Sequence, residues 1–275
     1  NVDWADQFLF GAVLSNMDKQ IQTAATMEIV YGNRFTEQNT NMYSLDYKKT
    51  DILKNLDVSA FASFSKLNRK TIDTIATQYS WLGYPTNYYN TPDVWTSGAE
   101  AGDPTLQKDI DKTVNSRTNL TYRITENNSI QFNHLLNTFS RDSDDPMLPT
   151  IENALKEERK YKKNILSLSY ENLAFNKNLR TTAFAKSYHM NRSSKLRTRS
   201  SNSSNATIEI EENIVKSDDL GFGGAISYKV SSKLTVFGSA EKAIRLPEAG
   251  EIFGNVSTNI NPSINLNPEQ SNNYN

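Results

Sequence analysis

Cysteine is absent from the 275 residues, so disulfide frameworks, thiolate metal sites and cysteine nucleophiles are all excluded. Its absence leaves the compartment open. Histidine occurs twice, at His134 and His189, each inside a strand-like pattern. That number cannot build a histidine-rich metal centre or a two-histidine helix motif, and both are expected in structural or interior-facing roles. Neither charge sign is in excess: 30 Lys and Arg face 31 Asp and Glu, so no basic footprint for nucleic acid exists. The 37% hydrophobic content is too high for a disordered tail. No apolar run approaches the ~18 residues of a spanning helix, and nothing at Asn1 resembles a leader. The mean hydropathy of −0.63 suits a soluble chain. It equally suits a membrane barrel, whose strands need only about 9–11 residues with lipid-facing and interior positions alternating.

Catalytic patterns are also missing. No Gly-x-Ser-x-Gly turn appears, and Gly221-Phe222-Gly223-Gly224 sits within a strand rather than between a strand and a helix. No enzyme activity and no resident cofactor are expected.

What is present is a period of two. Phe222, Gly224, Ile226, Tyr228 and Val230 share one strand face, and Gly221, Gly223, Ala225, Ser227 and Lys229 the other. Leu120, Tyr122 and Ile124 repeat the pattern, as do Phe8, Phe10, Ala12 and Leu14. Only residues 151–163 read as a short helix, from Ala154 and Leu155 among dense charges.

Turn signals fall into two length classes that alternate along the chain. Tight connections are expected near residues 16–19, 51–54, 126–128, 172–178 and 231–232. Long ones are expected near 33–41, 68–111, 140–160, 190–216 and 242–264. The count is about eleven strands. Single-chain outer-membrane barrels have even strand numbers, with short turns on the periplasmic side and long loops outside. The expected architecture is therefore all-β, an antiparallel transmembrane barrel segment forming a single partial domain over 1–275, cut at both ends. Tyr31, Tyr47, Tyr122, Tyr161, Tyr170, Tyr188 and Tyr228 near strand ends suit an interfacial girdle. A soluble sandwich or propeller is the alternative.

Three segments are candidates for chemistry. Tyr79, Trp81, Tyr84, Tyr88, Tyr89 and Trp95 crowd one loop with Pro85 and Pro92. Rings on a stiffened loop can stack on a flat or amphipathic ligand, or pack on one another to keep the loop folded; both readings stand. Asp142, Asp144 and Asp145 offer oxygen ligands to a hard cation, or simply form a solvated loop. Arg192, Lys195, Arg197 and Arg199 are placed either to meet lipopolysaccharide phosphates or in a polar loop.

The last forty residues carry a resemblance. Ala243-Ile244-Arg245-Leu246-Pro247-Glu248-Ala249-Gly250-Glu251-Ile252, then Asn265-Leu266-Asn267-Pro268-Glu269-Gln270-Ser271, resembles the later barrel of TonB-dependent outer-membrane receptors, with Ile244 in place of the usual aromatic. Asn133-His134-Leu135-Leu136-Asn137-Thr138-Phe139-Ser140-Arg141 is similar to another of their strand-to-loop phrases. Pro247 and Pro268 cannot donate to a ladder and mark where pairing stops and starts. Arg245 with Glu248 and Glu251 is expected to fix the loop base, and Glu269 the next strand's entry, through charge-assisted hydrogen bonds. These roles are architectural.

The resemblance implies a twenty-two-stranded barrel, of which about eleven strands would lie here, in the bacterial outer membrane. It also implies a plug domain absent from these residues, through which the TonB complex would act. The implied cargo is a scarce nutrient, most often an iron-siderophore complex, with cobalamin, haem or glycan as other classes; the remaining contacts are outer-membrane lipid and lipopolysaccharide. A passive porin or adhesin barrel, or a soluble carbohydrate-binding sandwich, are the alternatives.

Overall fold

The structure is a computed structural model that describes residues 7–20, 29–31, 35–73, 78–80, 85–86, 105–144, 156–199, 208–253 and 263–275. Ten strands form one antiparallel sheet. They are β1 (Gln7–Gln20), β3 (Phe35–Leu53), β4 (Leu56–Asp73), β7 (Thr105–Thr125), β8 (Asn128–Asp144), β9 (Glu157–Ala174), β10 (Leu179–Arg199), β11 (Ile208–Ser231), β12 (Leu234–Arg245) and β13 (Glu269–Tyr274), and they lie side by side in chain order. Three short strands, β2 (Ile29–Tyr31), β5 (Gln78–Ser80) and β6 (Pro85–Thr86), form a separate small sheet. A single short helix, α1 (Ala249–Phe253), occurs among the described residues. The main sheet thus holds ten strands among these residues rather than about eleven, and no ladder joins β1 to β13. Ten is even, so parity does not argue that strands are missing; the observation is an unclosed sheet.

Tight and long connections alternate. Residues 54–55, 126–127, 175–178 and 232–233 make the tight turns, gathered at one end of the sheet. Asn55 has φ 67°, and Phe175, Asn176 and Lys177 have φ 49°, 54° and 67°, the left-handed geometry that reverses a chain in few residues. The long connections follow β1, β4, β8, β10 and β12.

Several boundaries differ from the sequence reading. No turn forms at 16–19, because β1 pairs through Asn16↔Asn39 to Gln20↔Phe35, with Asn39 Nδ2 donating to Asn16 Oδ1 at 2.6 Å. For the same reason positions 35–41 of the supposed 33–41 loop are strand. Of the supposed helix 151–163, residues 157–163 are strand. A solvated helix would use the charges in i,i+4 pairs, but pairing to both β8 and β10 satisfies every backbone group and sends alternate side chains to opposite faces. The expected 190–216 loop is mostly strand, since β10 and β11 pair from Leu179↔Tyr228 to Arg199↔Ile208.

Residues opposed across a ladder share a face. One face carries a continuous apolar band beside the tight turns, through the rows Val58–Leu120–Phe132–Leu168–Ala185–Phe222 and Leu56–Tyr122–Ile130–Tyr170–Ala183–Gly224. On β11 the band covers Leu220, Phe222, Ile226, Tyr228 and Val230, each 44–56% exposed. Farther along, the same face turns polar at Asp218 and Lys216. β11 has 24 residues and so extends roughly 80 Å at ~3.4 Å per residue. A bilayer core takes only ~30 Å. The apolar band matches that thickness, and the polar remainder of each long strand projects beyond it.

The opposite face is polar and bonded to itself. Arg141 donates from Nε and Nη2 to the two oxygens of Asp111, both at 2.6 Å, and Ser143 Oγ donates to Asp109 at 2.7 Å. This inner face also carries Tyr161 and Tyr188, each 8% exposed. The girdle expectation therefore fails for these two. It fits Tyr122, Tyr170 and Tyr228, which stand on the outer face near the tight turns.

Candidate functional site

At the long-connection end, the chain leaving β12 folds back over the inner face of β8, β9 and β10. Arg245 ends the strand, and Pro247, lacking an N–H, prevents the ladder from continuing. Glu248 then caps α1: its carbonyl accepts from the N–H groups of Glu251 (3.1 Å) and Ile252 (3.0 Å). The Glu251 carboxylate reaches back to the Glu248 N–H at 2.7 Å, which is the carboxylate half of a capping box. Thus the spacing Pro-Glu-x-x-Glu encodes a strand stop followed at once by a one-turn helix.

That helix delivers Ile252 and Phe253 to the wall. Ile252 is 1% exposed, and Phe253 stacks over Phe139 and Tyr161 with ring centroids 6.0 and 6.4 Å away. Phe139 and Tyr161 are themselves 5.6 Å apart. Met190, Tyr188, Ile244 and Leu246 complete the buried cluster. Ring stacking of this kind contributes about 0.5–1.5 kcal/mol per pair beyond simple burial.

Charges fasten the same segment. Lys163, on the inner face of β9, places its ammonium 2.9 Å from a Glu248 oxygen. Arg192 is 1% exposed and donates from Nη1 to the Leu266 carbonyl, while its Nε has no hydrogen-bond partner among the described residues. Arg245 donates to Glu251 at 2.7 Å and to Glu269 at 3.1 Å, joining the end of β12 to α1 and to the start of β13. The Arg245 guanidinium, then the Glu248 N–H, hold the Glu251 carboxyl below its usual range.

Of the motif residues, Arg245, Glu251 and Glu269 are brought together. Glu248 turns instead to Lys163, which the sequence reading did not single out, and Asn267 and Pro268 lie on the approach to β13. Lys163 and Arg192 were legible only as charges in a polar stretch. Their strand parity is the signal that places them inward, and it becomes readable once residues 157–174 and 179–199 are known to be strand.

The other candidates are dispersed. Trp81, Tyr84, Tyr88, Tyr89 and Trp95 lie outside the described residues, as does Asp145. Tyr79 lies in β5, opposite Val30 and Pro85 in the small sheet. Asp142 and Asp144 belong to β8 rather than a loop, and Asp142 lies 3.9 Å from Lys112. No cluster of three metal-ligating side chains occurs among the described residues. Lys195 is 3.4 Å from Glu212 and Arg197 3.6 Å from Glu157, so the supposed basic loop is paired strand. His134 is on the outer face, not the inner, with Nε2 2.7 Å from Asn164 Oδ1, and His189 pairs with Asp218.

A family model described as TonB dependent receptor-like, beta-barrel, matches residues 1–275. The chain belongs to the TonB-dependent receptors. Its place is accordingly the bacterial outer membrane, crossed by the apolar band of the sheet. Among solved structures it is similar to one described as the copper transporter OprC, at 11% identity and TM-score 0.67, covering 99% of this chain and 40% of that one. It is also similar to a double mutant of the Serratia marcescens haemophore receptor HasR, in complex with its haemophore HasA and haem. That match has 13% identity and TM-score 0.56 and covers 100% of this chain and 39% of the receptor. These likenesses show the fold, and the chain spans about two fifths of each relative's length. No curated protein matches it in sequence.

Proposed function

We propose that the chain forms, as a single partial barrel domain over residues 1–275, part of the wall of a receptor that takes up a scarce nutrient at the expense of TonB-delivered energy. The observation that carries this reading is the two-faced sheet: an apolar outer band of membrane thickness, and a polar inner wall onto which α1 folds. A passive pore would be served by an open mouth. Here the segment after β12 is clamped across the inner wall by the Phe253 stack and by Lys163, Arg192 and Arg245. The long connections face outside, as in outer-membrane barrels generally.

The cargo we favour is an iron-siderophore complex, the class most often implied by the family. One similar structure is described as a copper transporter and the other holds haem and a haemophore, so metal-containing cargo suits the architecture. Tyr79, Trp81, Tyr84, Tyr88, Tyr89 and Trp95 are the proposed ligand-contacting rings. Energy coupling would run through a plug domain. Uptake of radiolabelled iron chelates by cells carrying the full receptor, with and without TonB, tests the reading. TonB-dependent uptake is expected, and uptake equal in both strains would contradict it. Replacing Trp81 and Trp95 by Ala with uptake unchanged would remove the proposed ring contacts.

A further inference from the structure

The wall beneath α1 is unlike the rest of the inner face. Elsewhere polar side chains satisfy one another across the ladders, as where Asn137 Nδ2 donates to Asn115 Oδ1. Here Phe139 of β8 and Tyr161 of β9 stand directly opposite each other and set their rings 20° from parallel, which makes a flat aromatic platform. Phe253 lies against that platform, tilted 27° to Phe139 and 16° to Tyr161. Cations border it on both sides. Lys163 holds its ammonium 5.2 Å from the centre of the Tyr161 ring, and Arg192 stands opposite Tyr161 on β10. Lys163 and Arg192 are diagonal neighbours across the β9–β10 ladder, with backbones roughly 7–8 Å apart. Arg141 borders the Phe139 side, 5.7 Å from that ring, but its guanidinium is already held by both oxygens of Asp111.

What the folded-back segment gives the other two cations is incomplete. Lys163, 7% exposed, meets the carboxylate of Glu248, which is 67% exposed to water. Arg192, 1% exposed, meets a neutral backbone carbonyl, and its Nε has no hydrogen-bond partner among the described residues. A buried guanidinium is best satisfied by the two oxygens of a carboxylate. The segment thus presents, in separate pieces, the parts of an aromatic acid: a ring, a carboxylate and a carbonyl oxygen. We propose that α1 is a built-in occupant of a binding site for a small planar aromatic carboxylate, which displaces it. The ligand's ring takes the place of Phe253 on Phe139 and Tyr161, and its carboxylate lies between Lys163 and Arg192, accepting from Nε. Glu248 leaves with α1, while Asp111 stays on Arg141. The inference rests on the reading of this face as the interior of an uptake receptor, and it names the cargo class as one that carries an aryl carboxylate.

The test uses the full receptor purified in detergent, with naphthoate as the probe and naphthamide as its neutral counterpart. Binding is read by probe fluorescence, and release of α1 by hydrogen exchange at the Ile252 and Phe253 amides. Naphthoate should bind and speed that exchange, and naphthamide should bind about tenfold more weakly. Because α1 and the ligand compete for one place, Phe253→Ala should tighten naphthoate binding about tenfold, since apparent affinity falls with the fraction of sites left open. Glu248→Gln should tighten it as well. Lys163→Met should weaken it about tenfold, in the Phe253→Ala background too, and Lys163→Arg should restore it. Should Lys163→Met fold poorly, the comparison of wild type with Phe253→Ala decides alone. Equal affinity of those two, or of naphthoate and naphthamide, overturns the proposal, as does binding that leaves exchange in α1 unchanged. Transport is read separately. TonB-dependent uptake by a receptor that fails these binding tests rejects the site alone, and naphthoate binding with TonB-independent uptake rejects the transport reading and leaves the site standing.

Discussion

The Lys163 ammonium, 7% exposed in the wall of β9, lies 2.9 Å from the carboxylate of Glu248, which is 67% exposed at the start of α1. The pair is asymmetric. Removing Glu248 leaves a buried cation with only the Tyr161 ring, 5.2 Å away, and the charge of Glu251 nearby, whereas removing Lys163 leaves an acid in water. Glu248→Gln is therefore expected to loosen α1 by about 1–2 kcal/mol, between the effects of breaking exposed and buried pairs, and Lys163→Met by less. Hydrogen exchange at the Ile252 and Phe253 amides measures both. Equal effects would show that the burial of Lys163 does not matter.

Phe253 joins the segment to the wall by apolar contact. Phe253→Ala should remove about 3–5 kcal/mol from the docking of α1, in line with other buried Phe truncations. The strand ladders do not involve it, so heat-modified migration of the barrel on gels should stay unchanged while protease cuts near residue 253 more readily. Loss of the folded barrel band would mean that the loop supports the sheet itself.

The Arg245–Glu251 contact gives a pH dependence. Glu251 is held below its ordinary value of 4.5, chiefly by the Arg245 guanidinium and then by the Glu248 N–H. A depressed carboxyl contributes stability above its ordinary value, and that contribution is lost as pH falls through the folded value. Protease sensitivity of the α1 segment should therefore rise on acidification below 4.5. Glu251→Gln should make it high and flat across the same range. An unchanged acid response in that variant would assign the effect to another group.

Two glycines should answer oppositely to the same substitution. A methyl on Gly223 would lie 2.7 Å from the Ala240 carbonyl, 2.7 Å from Glu241 Cβ and 2.8 Å from the Phe184 ring, so Gly223→Ala forces backbone apart. It is expected to destabilise the barrel by about 1–3 kcal/mol. Gly250 in α1 has nothing within 4 Å, and Gly250→Ala should strengthen the helix by roughly 0.5–1 kcal/mol. Urea titration of the refolded receptor compares the first, and hydrogen exchange in α1 the second.

Much of the architecture was legible because strand parity and turn residues are local. The Glu126–Asn127 and Ser231–Ser232 reversals, and the alternation around Phe222 and Leu120, needed no tertiary knowledge. Residues 151–163 misled because charge density favours a helix only in isolation, and the ladders to β8 and β10 outweigh it. Tyr161 and Tyr188 have the chemistry of girdle residues. Their inward direction depends on register, which shifts every side chain to the other face with one residue of slip. The base of the candidate site was partly readable, since Arg245, Glu251 and Glu269 carry their charges at the strand ends they join. Lys163 and Arg192 were not, because what buries them is a segment roughly 70–100 residues distant in sequence that folds back only after β12 is placed.

The central claim is that one face of this sheet meets lipid and the other lines the interior. Because these 275 residues contain no cysteine, single Cys replacements at positions 165–170 of β9 can each carry a nitroxide label in the reconstituted full receptor, once any cysteine elsewhere in that receptor is replaced by Ser. Leu166, Leu168 and Tyr170 should then be accessible to oxygen dissolved in the bilayer, and Ile165, Ser167 and Ser169 shielded from it. Uniform accessibility, or alternation in the opposite phase, would contradict the account.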